Sequence, residues 1–144
     1  MKNSYKELFQ RLKSKNQGAL VAFNVIGYPN FEKSLEITKL LIDSGADMLE
    51  LGIPFSDPIA DGPSIQSADT VSLQNGMDTD KAFKFLKQIR DYSGIPLGIM
   101  SYFNLVYQRG IDKFYSECQE AGINGLLIPD LPIEESSSII DCAK

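Results

Sequence analysis

Short apolar stretches that follow a glycine recur along this chain and constrain its fold more than any other feature. Three of them read SGADMLELGIP, YSGIPLGIM and AGINGLLIPD, and GALVAFNVIGYP precedes them. Amphipathic helical segments separate these stretches, so the predicted order is β-α-β-α-β-α-β-α. Short strands that are apolar almost throughout are typical of a parallel sheet covered by helices.

Two architectures repeat such a unit, a doubly wound open sheet and a (β/α)8 barrel. The first turn between a strand and a helix lacks a GxGxxG sequence, which counts against an open sheet that binds dinucleotides. Polar residues instead stand at the predicted carboxyl ends of strands, where barrel enzymes keep their chemistry. These residues are Asn24, Glu50, Tyr102 and Asp130. We therefore predict an α/β fold of the TIM (β/α)8-barrel family.

The predicted elements cover about the first four βα units of a barrel, plus an N-terminal helix. Strands are predicted at 18–29, 46–54, 95–102 and 123–132. Helices are predicted over the first fifteen residues, at 31–44, 64–76, 78–92 and 111–121, and from 133 onward. A complete barrel needs roughly 250 residues, so residues 1–144 are interpreted as a single, partial barrel domain. Three explanations stay open: a truncated version of a longer protein, a fragment that pairs with a second half or with itself, and a natural short product.

Charge and hydropathy exclude several classes of partner. Fourteen basic and nineteen acidic residues give a net charge of −5 without any basic run, so neither nucleic acid nor an anionic membrane is an expected partner. The N-terminal sequence MKNSYKELFQRLKSKNQ has no apolar signal core, and no apolar run is long enough to span a bilayer. Cys118 and Cys142 stand far apart without a CxxC motif. We predict two reduced thiols in a cytoplasmic protein.

The chain contains no histidine, which removes Ser-His-Asp and Cys-His catalysis and most zinc sites. Acid and base chemistry must then come from carboxylates, tyrosine or lysine. The stretch LELGIPFSDPIADGP supplies three carboxylates, Glu50, Asp57 and Asp61. Glu50 stands in an apolar run, where an ionised side chain is costly to bury unless something uses it. An acid on a buried strand, followed by a second acid on the next loop, fits a general acid/base pair.

The alternation of side chains along the second predicted strand indicates that Glu50 points into the barrel. Alternate residues of a strand point to opposite faces. One face carries Met48, Glu50 and Gly52, and the other carries Leu49, Leu51 and Ile53. The all-apolar set is expected to face the helices. The alternatives are a buried ion pair for Glu50 and capping of the next helix for Asp61.

The stretch LELGIPFSDPIADGP, residues 49–63, resembles the signature of the tryptophan synthase alpha chain family. Flanking segments agree in the same order, namely YKELFQRLK, GALVAFNVIGYP, SYFNLVYQRGIDKFY and LLIPDLPIEES. The resemblance covers the whole chain, but only the first half of such a protein. It implies a retro-aldol lyase that cleaves indole-3-glycerol phosphate to indole and glyceraldehyde 3-phosphate, in the last stage of L-tryptophan biosynthesis. It implies no metal and no organic cofactor.

The resemblance assigns Glu50 and Asp61 as the catalytic acids. A carboxyl group with apolar walls, such as Glu50, would deliver a proton to indole C3 and remove the hydroxyl proton beside the breaking bond. Asp61 would accept a hydrogen bond from the indole N–H as positive charge develops there. The positions that line the indole pocket are matched by Phe23, Met100, Tyr102 and Leu127.

The resemblance also implies a protein partner. Asp57 and Pro58 match the loop that docks against the tryptophan synthase beta subunit in an alpha2beta2 heterotetramer, and the alternative is an ordinary acidic loop. Asn104 and Asp130 are expected to brace the loops, with Asp130 near the subunit interface.

Three functional hypotheses follow from the sequence. The first is the alpha-chain lyase, inactive as an isolated half because barrels commonly bind a substrate phosphate with the loops after strands seven and eight. The second is a non-catalytic interaction module that binds the beta subunit. The third is another barrel enzyme of amino-acid biosynthesis with a phosphorylated substrate.

Overall fold

The computed structural model describes residues 4–140 and 142, which form one parallel sheet with helices between its strands. The sheet has four strands in the order β1-β2-β3-β4. The strands are β1 (Val21–Val25), β2 (Met48–Gly52), β3 (Leu97–Met100) and β4 (Gly125–Leu127). The helices are α1 (Tyr5–Ser14), α2 (Phe31–Asp43), α3 (Pro63–Gln74), α4 (Thr79–Tyr92), α5 (Phe103–Arg109), α6 (Ile111–Glu120) and α7 (Ser137–Ile140).

The predicted alternation of strands and helices is confirmed, and the strands are shorter than predicted. One helix, α5, was not predicted, and it begins where a strand was predicted to end. The helix predicted from residue 133 onward is divided into a 3-10 turn over Ile133–Glu135 and the short α7. The predicted helices at the two ends of the chain also include residues that lie outside the described ones, namely 1–3, 141, 143 and 144.

The sheet register places Glu50 in the middle of a row that crosses all four strands. Phe23 pairs with Glu50, Glu50 with Gly98, and Gly98 with Gly125. On the other side of β2, Leu49 and Leu51 are fully buried in the main hydrophobic core, together with side chains from the helices. The prediction that the apolar face of β2 meets the helices is confirmed.

The N-terminal helix packs near the amino end of the sheet. A capping box between Ser4 and Glu7 begins α1. Leu8 and Leu12 form a second hydrophobic cluster with Met48, the first residue of β2. Phe9, on the same helix, is 50% exposed.

The turn after β1 depends on a glycine at position 27. Its φ is +86°, and a Cβ there would lie 2.2 Å from Met77 Cγ and 2.6 Å from Ser72 Oγ. We predict that Gly27→Ala lowers the free energy of unfolding by about 2–4 kcal/mol, because left-handed strain adds to overpacking. Urea denaturation measures this loss. Gly110→Ala is the matched control, since Gly110 has φ +88° and no described atom within 4 Å of its added Cβ; an equal loss in both variants would contradict the packing argument.

The two cysteines differ in their burial. Cys118 is buried and Cys142 is exposed, and both are thiols, as predicted. Burial raises the pKa of the Cys118 thiol to about 12. No helix within residues 4–140 is long and apolar enough to cross a membrane.

Candidate active site

The face of the sheet that carries Glu50 is open, and we call it the open face. It presents Phe23 from β1, Glu50 from β2, Met100 from β3 and Leu127 from β4. Phe23 and Leu127 are 39% and 46% exposed, and Glu50 is partly exposed. Three of the four predicted substrate-binding residues therefore lie on the same face as the predicted acid.

The absence of a side chain at Gly52 lets two apolar groups meet beside Glu50. The Phe23 ring comes within 3.0 Å of the position that a Cβ on Gly52 would occupy, and Met100 Cε comes within 3.9 Å of it. An apolar surface thus lies beside Glu50 on the open face.

Tyr5 of α1 reaches the open face over two glycines of the Glu50 row. A Cβ on Gly98 would stand 2.5 Å from the Tyr5 hydroxyl oxygen, and one on Gly125 would stand 2.7 Å from the ring. Burial, and then the charge of Glu50, raise the pKa of Tyr5 to about 12. Tyr5 is therefore a protonated donor near Glu50. Within the described residues Glu50 forms no ion pair, so the predicted alternative of a buried ion pair finds no partner there.

Asp61 is held by a tyrosine from the next βα unit. The Tyr102 hydroxyl donates to Asp61 Oδ2 at 2.7 Å and accepts from the Ala60 backbone N–H at 3.0 Å. Tyr102 is 2% exposed, and burial, followed by the hydrogen bond to Asp61, raises its pKa to about 12. Because the tyrosine stays protonated, its proton remains available to orient the Asp61 carboxylate. The role of Tyr102 in lining a substrate pocket stays a prediction.

The capping alternative for Asp61 is wrong. The N-cap of α3 is Gly62, without any side-chain hydrogen bond, and Pro63 occupies the first turn. The Asp61 backbone carbonyl accepts from Gln66 Nε2 at 2.8 Å. The Asp61 side chain is thus committed to Tyr102 and not to the helix.

An aromatic stack supports the same loop. The rings of Phe55 and Tyr102 lie 5.0 Å apart at an interplanar angle of 24°. Stacked pairs of this kind contribute about 0.5–1.5 kcal/mol beyond their buried area. Segment 53–62, which joins β2 to α3, is therefore anchored to Tyr102 by both a ring and a hydroxyl contact.

Tyr102→Phe separates these two contacts. The ring can remain stacked on Phe55, while the hydrogen bonds to Asp61 and Ala60 are lost. We predict a fall of about 1.5–3 kcal/mol in the free energy of unfolding, the usual contribution of a hydrogen bond to a charged group. Urea denaturation tests it against Tyr107→Phe, since Tyr107 is 64% exposed. Equal stability of the two variants would count against the anchoring role.

Asp57 and Pro58 lie at the tip of the same segment. Ser56 Oγ donates to Asp57 Oδ2 at 2.5 Å, the Ile59 N–H donates to the Asp57 carbonyl at 2.9 Å, and the Asp61 N–H donates to the Pro58 carbonyl at 3.1 Å. Ile59 is 82% exposed. The tip is an internally hydrogen-bonded turn that presents one acidic and one large apolar side chain to solvent.

Asn24, Asn104 and Asp130 were all predicted at or just after the ends of strands, and each has different surroundings in the structure. Asn24 faces α2, since its Nδ2 donates to Thr38 Oγ1 at 3.0 Å, so it does not belong to the open face. Asp130 does brace a neighbouring element, because its Oδ1 accepts from the Phe103 backbone N–H at 2.8 Å and thereby starts α5. Asn104, on α5, is exposed.

Sequence reasoning missed three residues around the site, Tyr5, Phe55 and Asp69. The helical period assigns Tyr5 only to an apolar helix face, although the glycines at 98 and 125 indicate space above the sheet. Asp69 is 4% exposed on α3, where its spacing from Ile65 and Ser72 places an acid on the inner side of the helix. Across residues 4–140 and 142, no cluster of three Cys, Asp or Glu side chains is placed to hold a metal ion.

Comparisons with known proteins agree on one family. The family model described as tryptophan synthase alpha chain matches residues 9–144. The tryptophan synthase alpha chain of Methanothermobacter thermautotrophicus is 48% identical over 141 residues, which cover 98% of this chain and 51% of that protein. The corresponding protein of Vibrio cholerae O395 is 50% identical over 143 residues, which cover 99% of this chain and 53% of that protein. The chain spans about half the length of the curated relatives it matches.

Solved structures give the same result for the fold. Tryptophan synthase subunit alpha from Legionella pneumophila superposes with a TM-score of 0.94 at 34% identity, covering 99% of this chain and 55% of that one. A tryptophan synthase complex from Pyrococcus furiosus gives a TM-score of 0.84 at 36% identity, covering 88% of this chain and 52% of that one. The four βα units therefore have the arrangement of half a TIM (β/α)8 barrel, as predicted.

Proposed function

This chain belongs to the tryptophan synthase alpha chain family, and we propose that it supplies the catalytic half of a carbon–carbon lyase. The proposed reaction is the retro-aldol cleavage of indole-3-glycerol phosphate to indole and glyceraldehyde 3-phosphate. The observation that carries the proposal is the placement of Glu50 on the open face, beside the apolar surface of Phe23 and Met100. An indole ring is a flat apolar group of the kind such a surface accepts.

The proposed chemistry divides between the two acids. Cleavage breaks the bond between indole C3 and the carbon that bears the hydroxyl group, and this carbon becomes the aldehyde of glyceraldehyde 3-phosphate. Glu50 delivers a proton to C3 and takes the hydroxyl proton, so the net result is the transfer of one hydrogen from oxygen to carbon. The ring nitrogen becomes positive when C3 is protonated, and the Asp61 carboxylate, oriented by Tyr102, accepts a hydrogen bond from its N–H.

Indole release from indole-3-glycerol phosphate tests this proposal. We expect a full-length barrel that contains these residues to form indole and glyceraldehyde 3-phosphate in equal amounts. A folded full-length protein that releases no indole would overturn the proposal. We expect residues 1–144 alone to be inactive, because the phosphate in barrels is commonly held by loops after strands seven and eight.

A second proposal concerns the partner, and the tip of segment 53–62 supports it. The exposed Ile59, beside Pro58 and Asp57, forms an apolar and acidic projection of the kind that enters a partner pocket. We propose that this tip contacts a tryptophan synthase beta subunit in an alpha2beta2 assembly. The Pyrococcus furiosus neighbour was solved as a tryptophan synthase complex.

Binding and activity together separate an enzyme from a non-catalytic interaction module. A pull-down with the beta subunit is expected to weaken for Pro58→Ala and to be unchanged for Asp91→Asn, which alters an exposed residue of α4. Binding with no indole release at any subunit ratio would favour the interaction module. Equal binding of the wild type and Pro58→Ala to the beta subunit would contradict the proposed interface.

A further inference from the structure

Three polar groups of Asp61 take part in hydrogen bonds, and one of the three partners lies on α3. The Tyr102 hydroxyl donates to the carboxylate at 2.7 Å. The Asp61 N–H donates to the Pro58 carbonyl at 3.1 Å. Gln66 Nε2 donates to the Asp61 carbonyl at 2.8 Å. The first two bonds join Asp61 to another βα unit and to its own segment, and the bond from Gln66 joins it to the helix that follows.

The hydrogen bond from Gln66 has the opposite direction to a helix cap. Gln66 is the fourth residue of α3, which begins at Pro63 after the N-cap Gly62. The first turn of a helix has unpaired N–H groups, so a side chain that caps it accepts a hydrogen bond. Gln66 donates one instead, to a loop carbonyl that precedes the N-cap. The bond therefore acts on the loop and leaves the unpaired N–H groups of α3 as they are.

The backbone between α3 and Asp61 has little freedom left. Gly62 precedes a proline, which favours extended conformations, and its φ and ψ are −79° and 170°. Rotation about the Cα–C bond of Asp61 sets the direction of its carbonyl, and the bond from Gln66 restricts this rotation. The Pro58 carbonyl holds the N–H of the same residue. Because both backbone groups are held, the direction in which the Asp61 side chain leaves the backbone is held as well.

We infer that Gln66 is a positioning residue, which places the Asp61 carboxylate for the proposed reaction by holding the backbone carbonyl of the same residue. Tyr102 then fixes the carboxylate at the other end of the side chain. Placement matters because a shift of about 1 Å in a group that meets the transition state can lower the rate by roughly 10²-fold. The inference rests on the proposed function, since it assigns to Gln66 the placement of that reaction's second acid.

Gln66→Met tests the inference, because methionine has nearly the length and helix propensity of glutamine but no donor. We expect kcat for indole release by the full-length protein to fall about two- to tenfold, the equivalent of one ordinary hydrogen bond, with little change in the Michaelis constant. Gln74→Met is the matched control, since Gln74 is exposed at the end of the same helix, and it should keep the wild-type kcat. An unchanged kcat in Gln66→Met would overturn the inference.

The Asp61→Asn background separates positioning from a general effect on the fold. Asp61→Asn removes the charge that Gln66 is inferred to place. Adding Gln66→Met to it should therefore change kcat by less than about twofold, because the two substitutions act on one interaction and are not additive. A merely structural role would lower kcat by the same factor in both backgrounds, and that result would contradict the inference.

The side-chain rotamer of Asp61 gives a measurement that does not depend on activity. Three-bond NMR couplings across its Cα–Cβ bond should indicate one staggered rotamer in the wild type and in Gln74→Met, and averaged rotamers in Gln66→Met. If the full-length protein releases no indole and the couplings change as expected, the proposed function fails while the positioning of Asp61 by Gln66 stands. If indole is released and the couplings are the same in all three proteins, the positioning fails and the proposed function stands.

Discussion

Glu50→Gln is expected to lower kcat for indole release by roughly 10²–10⁴-fold, the usual contribution of a positioned general acid or base. The amide has nearly the same shape as the carboxyl group but can neither deliver a proton to indole C3 nor accept one from the hydroxyl group. The Michaelis constant should change little, because the apolar surface of Phe23 and Met100 is untouched. Steady-state kinetics on the full-length protein measure both quantities.

The matched control for this substitution is Glu32→Gln in the first turn of α2, where the side chain is exposed. It should leave kcat unchanged. Glu50→Asp adds a graded test, because it keeps the carboxyl group but moves it back by one methylene. We expect an activity between those of the wild type and Glu50→Gln. Full activity in Glu50→Gln would remove Glu50 from the mechanism.

Asp61→Asn is expected to lower kcat by roughly 10²–10³-fold, the magnitude seen when one preorganised electrostatic contact to a transition state is removed. The asparagine oxygen can still accept from the Tyr102 hydroxyl, so segment 53–62 should keep its place. In the proposed reaction, the lost element is the negative charge that would meet the positive indole nitrogen. The effect should therefore appear in kcat and not in the free energy of unfolding, which we expect to change by no more than about 1 kcal/mol.

Comparison with Tyr102→Phe separates charge from orientation. That variant keeps the Asp61 charge but releases the carboxylate from the hydroxyl that holds it at 2.7 Å. We expect it to lose stability while Asp61→Asn keeps it. If Asp61→Asn retains full activity while Tyr102→Phe is destabilised, Asp61 anchors the loop and takes no part in the reaction.

The sequence predicted the βα order because the signals for that order are local. Apolar strands, helix caps and glycines at helix ends lie within a few residues of one another. The missed helix shows the limit of such signals. Its N-cap, Tyr102, makes no side-chain capping bond, and the Phe103 N–H is satisfied by Asp130, which lies 27 residues later. Because the side chain that accepts the first N–H of this seven-residue helix is distant in sequence, the residues around its N-terminus carry no signal for its beginning.

The orientation of Glu50 was determined by the sequence alone, because the strict alternation of a strand places it opposite Leu49 and Leu51 in any sheet that buries those two. The setting of Asp61 was decided by tertiary structure. Its partner Tyr102 lies 41 residues away on another βα unit. A strand's period is a property of the backbone, whereas contacts between loops depend on how separate units pack side by side. The direction of the acid on the strand therefore follows from the order of the residues, and the network around the acid on the loop follows only from the packing of the folded chain.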